Sequence, residues 1–274
     1  MAIAQQLSAM PVRLIGVPIG QASLPFFAKN ASSRERGELS TMVNHTILEM
    51  LYLALPLSAI VLVLRIPLVR LAYGADSFPW AETVLTGKLV AILALSIAAR
   101  SLTHVLVRVF YALHNTTVPL IANLLSTIIN VSVSYYFLFV AQAGILGMAF
   151  AITVASILET IVLTAILYGY AKFSLRDLLV PLSKILLSTV ITGFALWVPL
   201  RVLDRMVFDT TRTLPLIMLT LSVGLIGIGV YITLSYFLKI RELTVFVALV
   251  EKIGNWHKAL SQSKETLDSD DSSV

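Results

Sequence analysis

The sequence contains no cysteine among its 274 residues and few charged side chains, and both shortages narrow its class. Without cysteine the chain has no disulfide, no thiolate metal site and no cysteine nucleophile. Only 13% of its residues are charged, whereas soluble globular chains carry about a quarter. Hydrophobic residues make up 58% of the chain, and the mean hydropathy is +0.90. These values predict an integral membrane protein.

Long apolar stretches follow one another along the chain, and each is bounded by charged residues, Pro or Gly. A bilayer core needs about 20 residues of helix, and these stretches are long enough. They cover residues 2–28, 42–65, 84–112, 118–140, 143–170, 181–203 and 214–238. The sequence therefore predicts an all-α, polytopic membrane protein with about seven transmembrane helices. In the polar tail, 239–274, residues 239–258 have the pattern of an interfacial amphipathic helix and the end is predicted to be disordered.

The Lys and Arg residues that flank these stretches predict how the chain is oriented. On an alternating path, eleven of them fall on the side of the C-terminal tail and six on the opposite side. Because basic residues favour the cytoplasm, the C-terminus is predicted to be cytoplasmic and Met1 to lie outside. A chain that starts outside without a basic leader favours delivery by a preceding N-terminal half. A natural seven-helix protein is the alternative.

Five stretches occur in an order and at a spacing that are typical of one transporter family. They are PVRLIGVPIGQASLPFFAK (11–29), ALPLSAIVLVLRIPLVRLAYGADSF (54–78), RVFYALHNTTVP (108–119), IINVSVSYYFL (128–138) and GILGMAFAITVAS (144–156). Through these stretches, residues 4–170 resemble the C-terminal half of the MurJ/MviN family. Members of that family are the lipid II flippases of peptidoglycan synthesis in the bacterial inner membrane.

The resemblance implies alternating access, in which two lobes rock about a central cavity that takes the charged head of lipid II. Residues 1–170 would form the C-terminal lobe, and residues 171–238 would add two helices with a groove for the lipid tail. Apolar residues of those two helices are the candidates for lining the groove: Leu187, Phe194, Leu225 and Ile232. Ordinary contact with bilayer lipid is the alternative explanation of these four side chains.

The sequence departs from the family before the first proline. The family pattern has an arginine there, and in AQQLSAMP (4–11) the corresponding residue is Gln6. Glutamine hydrogen-bonds to a phosphate but brings no charge, whereas the guanidinium fork of arginine matches a diphosphate. Arg13, seven residues later, is the candidate to replace that cation.

A group of cations lies in RSLTHVLVRVFYAL (100–113), where Arg100, His104 and Arg108 are spaced four residues apart on one helix face. At about 1.5 Å per residue, His104 lies about 6 Å deeper than Arg108, and Arg100 about 12 Å deeper. They form a ladder from the cytoplasmic mouth toward the midplane, suited to binding an anionic headgroup. Anchoring at the interface beside Tyr111 is the alternative role of Arg108.

Two acidic residues, Glu159 and Glu49, lie inside the predicted spans. A carboxylate in the membrane is expected to pair with a base, face water or be protonated. For Glu159 the alternatives are a structural ion pair with Arg100 and a site that couples transport to H⁺ or Na⁺. Glu49 lies one helical turn from His45.

The chain shows no pattern typical of an enzyme or a cofactor site. It lacks a phosphate loop, a nucleophile elbow and an HExxH motif. Its four histidines are spread over different segments and suggest no metal site. The basic residues flank spans rather than forming one nucleic-acid patch. The expected partners are lipid II, the bilayer and an N-terminal half. An exporter of another lipid-linked oligosaccharide or polysaccharide, or a non-transporting assembly module, is the alternative.

Overall fold

A computed structural model describes residues 1–32, 36–73, 79–171, 175–206 and 213–244, and its regular structure over these residues is helical. The helices are α1 (Ala2–Pro11), α2 (Val17–Ser32), α3 (Arg36–Val63), α4 (Arg65–Tyr73), α5 (Trp80–Ala94), α6 (Ile97–Ala112), α7 (Thr117–Tyr135), α8 (Gly144–Ala171), α9 (Leu175–Met206) and α10 (Thr213–Phe237). Short π-helices, Val12–Gly16 and Tyr136–Val140, join α1 to α2 and extend α7. The predicted all-α class is confirmed. Most of the predicted amphipathic helix, 245–258, lies outside the described residues.

Five helical segments in the described residues are long and apolar enough to cross a membrane. They correspond to α3, α7 with its π-helix, α8, α9 and α10, and the bent pair of α5 and α6 makes a sixth. The first predicted stretch is helical from Ala2 to Ser32 but divides into α1 and α2. The division follows Pro11, because a proline inside a helix removes one backbone hydrogen bond and favours a local change of pitch.

The stretch 84–112 is not the single straight helix that the sequence predicts. It breaks at Leu95 and Ser96, and α5 and α6 meet with a 42° bend. The Ser58 hydroxyl donates to the Ala94 carbonyl at 2.5 Å, and the Ser96 hydroxyl donates to the Leu93 carbonyl at 2.7 Å. A helix breaks at membrane depth only where its freed carbonyls find other donors. The two serines supply these donors.

The centre of the fold is formed by α3 and α6, which pack on each other and on α2, α8 and α9. The largest fully buried side chains gather mainly here: Phe27, Ile47, Met50, Tyr52, Leu106, Phe110, Leu163 and Leu167. At its far edge, α10 attaches to α3 through the Tyr231 hydroxyl, which donates to the Tyr52 carbonyl at 2.9 Å. In a membrane such contacts stabilise through close packing and hydrogen bonds rather than through exclusion of water.

Candidate functional site

Two glycines allow α2 and the preceding π-helix to lie directly against α6. A Cβ atom on Gly16 would lie 2.9 Å from the Ser101 Cα atom, and one on Gly20 would lie 3.1 Å from the His104 carbonyl oxygen. Real Cβ atoms essentially never approach backbone as closely as 2.9 Å. Small residues therefore set the distance between these helices, as in other membrane proteins. The consequence is that the side chains of the π-helix and of α6 share one surface.

That surface carries a cationic strip formed by Arg13, Arg100, His104 and Arg108. Arg13 belongs to the π-helix and is exposed, Arg100 and Arg108 are half-buried, and His104 is exposed. Arg13 lies within electrostatic range of Arg100, and His104 lies within range of both arginines of its own helix. Because like charges repel strongly in a medium of low dielectric, the strip needs water or an anion beside it. The sequence predicted the α6 members from their spacing.

Arg108 has a contact that the other members of the strip lack. Its guanidinium carbon lies 5.7 Å from the centroid of the Tyr111 ring. An arginine stacked on tyrosine near a helix end is typical of the membrane interface. This contact favours the anchoring role of Arg108, while leaving the edge of its guanidinium group free to bind an anion.

The structure does not contain the ion pair between Glu159 and Arg100 that the sequence suggested. Neither residue forms an ion pair with any residue that the structure describes. The helices meet instead through the neighbouring threonine, since the Thr160 hydroxyl donates to the Ala99 carbonyl at 2.9 Å and lies 2.9 Å from the Thr103 hydroxyl. The bridge prediction is wrong because this uncharged contact occupies the interface of α6 and α8, and half-buried Glu159 takes no part in it.

Gln6 and Arg13 belong to different surroundings. The Tyr73 hydroxyl donates to the Gln6 side-chain oxygen at 3.3 Å, which ties Gln6 to α4. Arg13 instead neighbours Arg100 of α6. A spacing of seven residues keeps one face in a regular α-helix, but a π-helix begins between the two residues and changes the rotation. The structure thus joins Arg13 to the strip and does not place Gln6 in it.

A polar cavity of about 830 Å³ lies where α3 and α9 begin and α10 ends. Its charged lining residues are His45, Arg176, Asp177, Lys184, Lys239, Arg241 and Glu242. Glu49 has His45 and Glu242 as its charged neighbours. Glu242 is 5% exposed, and one of its carboxylate oxygens has no hydrogen-bond partner. Sequence reasoning missed Glu242, because it lies in a polar stretch whose burial becomes visible only when the chain turns back after α10.

A second cavity, of about 870 Å³, forms a mostly apolar groove between α3 and α4 on one side and α9 and α10 on the other. Among the four residues predicted to line such a groove, Phe194 does so, and its side chain is 75% exposed. The other three, Leu187, Leu225 and Ile232, are not among its lining residues. They lie on other faces of α9 and α10, where Leu187 and Leu225 are exposed and Ile232 is half-buried.

Three arginines also line this groove: Arg65, Arg70 and Arg201. Sequence reasoning used them only to count charges for orientation. They come from α4 and α9, and no spacing in the sequence connects them. Tryptophans beside two of them, Trp80 and Trp197, were the available signal, because tryptophan is enriched at membrane interfaces.

The fold, the cationic strip and the lateral groove define the class: an all-α, multi-pass membrane protein with features of a lipid transporter. The chain belongs to the family described as lipid II flippase MurJ, whose sequence model matches residues 1–208. The resemblance drawn from the five stretches is thereby confirmed, and it places the chain in the bacterial inner membrane.

Several curated proteins of the family are similar to this chain. A probable lipid II flippase MurJ of Bdellovibrio bacteriovorus is 25% identical over 242 residues, which are 88% of this chain and 45% of that protein. A probable lipid II flippase MurJ of Rhizobium meliloti is 28% identical over 215 residues, or 78% of this chain and 39% of that protein. A solved lipid II flippase MurJ in an inward closed conformation has the same fold, with a TM-score of 0.67 and 22% identity over 86% of this chain and 46% of that chain. The chain spans less than half the length of these relatives.

Proposed function

We propose that this chain is the C-terminal half of a lipid II flippase and moves lipid II across the inner membrane together with an N-terminal half. In this proposal residues 1–170 form one lobe, 171–238 add the helix pair beside the groove, and 239–274 form a cytoplasmic tail. Membership of the family supports the proposal. So does the length, since the chain spans 45% of its Bdellovibrio relative.

The observation that carries the proposal is the cationic strip without a partner acid. Arg100 and His104 lie within a membrane-spanning pair of helices and form no ion pair with a described residue. An arginine at membrane depth is expected to face a wet cavity or an anion. The diphosphate of lipid II is such an anion, and a guanidinium fork binds it with two parallel hydrogen bonds.

The proposed mechanism is binding and translocation without a covalent step. The strip attracts the diphosphate at the cytoplasmic mouth, where Arg108 is the outermost member, and Arg100 receives it deeper in the lobe. Rocking of this lobe against the N-terminal lobe would then expose the head on the opposite side, while the tail remains in lipid. No cofactor or metal is required by this sequence of events, and we propose no enzymatic activity.

Glu159 and Glu49 are proposed as sites where H⁺ or Na⁺ binding is coupled to this movement. Glu159 is half-buried within α8 and has no ion pair in the described residues. Glu49 lies close to a second acid, Glu242, so one added cation or proton would relieve their repulsion. Either residue would thereby respond to the ion gradient across the membrane.

A second candidate function is export of another lipid-linked oligosaccharide or polysaccharide. Gln6 favours it, because the family arginine at this position is replaced by a neutral residue that bonds to Tyr73. A lobe with altered polar groups is suited to a different glycan head. A non-transporting assembly module is the third reading, and it predicts no movement of any lipid.

Reconstitution separates these functions. The chain is placed in liposomes alone or together with the N-terminal half of a family member, and the transfer of labelled lipid II between leaflets is measured. We expect transfer only when both halves are present. Transfer by this chain alone would contradict the half-transporter proposal. Transfer of another lipid-linked oligosaccharide in preference to lipid II would support the second function, and no transfer of either lipid would support the assembly module.

A further inference from the structure

The groove between α3, α4, α9 and α10 differs in charge from an ordinary lipid-facing surface. Its apolar walls include Leu55, Leu62 and Phe194, and the groove arginines Arg65, Arg70 and Arg201 stand among them. Its described lining residues include no carboxylate. None of the groove arginines forms an ion pair with a described residue. Three positive charges thus share a cavity that is otherwise suited to a hydrocarbon chain.

The groove arginines are held in place while their hydrogen-bond donors stay available. The Arg70 guanidinium carbon lies 5.6 Å from the Trp80 ring centroid, and that of Arg201 lies 4.4 Å from the Trp197 centroid. A guanidinium group that stacks on an aromatic face keeps its N–H groups pointing outward in the ring plane. One nitrogen of Arg65 donates to the Leu62 carbonyl at 3.0 Å, and four of the five guanidinium N–H groups can still bind a ligand.

Orientation gives no reason for three arginines at this end of the molecule. In the proposed topology α3 ends, α4 lies and α9 ends on the outer side, opposite the cytoplasmic tail. Basic residues are favoured on the cytoplasmic side and not on this one. Their position at the outer headgroup level, at the open end of an apolar groove, matches a lipid whose phosphate lies in that layer and whose chain enters the groove.

We infer that the groove arginines bind the diphosphate of a polyprenyl-linked lipid in the outer leaflet, with its chain along α3 and α9. This inference rests on the proposed function and makes the groove a release-side site, separate from the cationic strip on α6. The commitment to a diphosphate follows from charge. A phosphodiester carries one negative charge, whereas a diphosphate carries more charge and more acceptor oxygens, which three guanidinium forks can satisfy.

The test uses the full chain in nanodiscs and a photoreactive diazirine analogue of a polyprenyl diphosphate. The measurement is the labelled fraction of α9, compared between the wild type and the triple variant Arg65→Gln, Arg70→Gln, Arg201→Gln. We expect the triple variant to lower labelling by about tenfold or more. Lys88→Gln is the matched control, because Lys88 is an exposed cation of the same side that does not line the groove, and its labelling should equal that of the wild type.

Two further arms make the result decisive. The same polyprenol without phosphate, and phosphatidylglycerol with the same diazirine, should label α9 weakly and equally in both proteins. The single variants Arg70→Gln and Arg201→Gln should each lower labelling if the triple variant fails to fold. Equal labelling by the diphosphate probe in the wild type and folded arginine variants would overturn the site and make the arginines interface anchors. Arginine-dependent labelling by phosphatidylglycerol as strong as that by the diphosphate would overturn the choice of ligand.

The site and the proposed function fail in distinguishable ways, because labelling is measured on this chain alone. Groove labelling that depends on the arginines, without translocation by the assembled halves, would contradict only the proposed function. Translocation by the assembled halves, with labelling that is independent of the arginines, would contradict only the groove site.

Discussion

The cationic strip and the groove arginines both place guanidinium groups in a largely apolar protein, yet they are built in different ways. In the strip, three of the four cations stand four residues apart on α6, and like charges lie side by side. In the groove, the arginines come from α4 and α9, and two of them stack on tryptophan. Charges that repel each other attract an incoming anion and release it readily, whereas stacked arginines form a fixed cradle. The strip suits entry of a headgroup, and the groove suits its retention.

The largest effect expected within the strip is that of Arg100→Gln. Arg100 is the deepest member on α6 and is half-buried, so its charge is poorly screened. We expect the affinity for lipid II of the assembled halves to fall by about tenfold or more, with the fold retained. Binding measured by native mass spectrometry checks this, with Lys88→Gln as control. A loss of thermal stability without a loss of affinity would make Arg100 a packing residue.

The next effect concerns the close approach that brings Arg13 beside α6. Gly16→Ala places a methyl group against the Ser101 backbone, and overpacking of this kind costs about 1–3 kcal/mol. The midpoint of thermal unfolding in detergent is expected to fall. Gly169→Ala is the matched control, since nothing lies within 4 Å of its added Cβ and alanine favours helix there. Equal midpoints for the two variants would contradict the close contact.

Arg108→Gln sharpens the comparison between the outermost and deepest members of the strip. Arg108 stacks on Tyr111 near the end of α6, where water and salt screen its charge. The expected loss of affinity for lipid II is about two- to fivefold, as for an exposed ion pair. The same mass-spectrometric binding measurement applies. A loss as large as that of Arg100→Gln would show that the headgroup is held at the mouth rather than deeper in the lobe.

The smallest effect is expected from Glu159→Gln. Because Glu159 has no ion pair with a described residue, the substitution should change the free energy of unfolding by no more than about 0.5 kcal/mol. The change should be the same in the wild type and in Arg100→Gln, as for sites that do not interact. A double-mutant cycle of unfolding free energies measures this. Rescue of an unstable Arg100→Gln variant by Glu159→Gln would restore the ion-pair interpretation.

Periodicity and composition predicted those features that depend on one segment at a time. The helices α7, α8 and α10 lie within two residues of the predicted stretches, since long apolar runs bounded by polar residues leave little freedom. Arg100, His104 and Arg108 share a continuous helix, α6, so their predicted spacing holds despite the break before it.

Features that depend on several segments were not predicted. The break at Leu95 relies on the hydroxyl of Ser58, 36 residues earlier in the chain. The groove arginines meet only because α4 and α9 line one cavity. The ion pair of Glu159 was wrongly expected because opposite charges at membrane depth are usually paired, whereas here threonines make the contact between α6 and α8. Proximity across helices is a property of packing, which a single sequence does not display.

The most direct test of the strip uses the absence of cysteine from the chain. A single substitution, His104→Cys, places a thiol between Arg100 and Arg108 on the exposed face of α6. In the assembled halves, we compare its reaction rates with a negatively and a positively charged thiosulfonate, with and without lipid II. If the strip receives the headgroup, the negative reagent reacts about tenfold faster or more, and lipid II slows both reagents. Equal rates for the two reagents, or no protection by lipid II, would contradict this role.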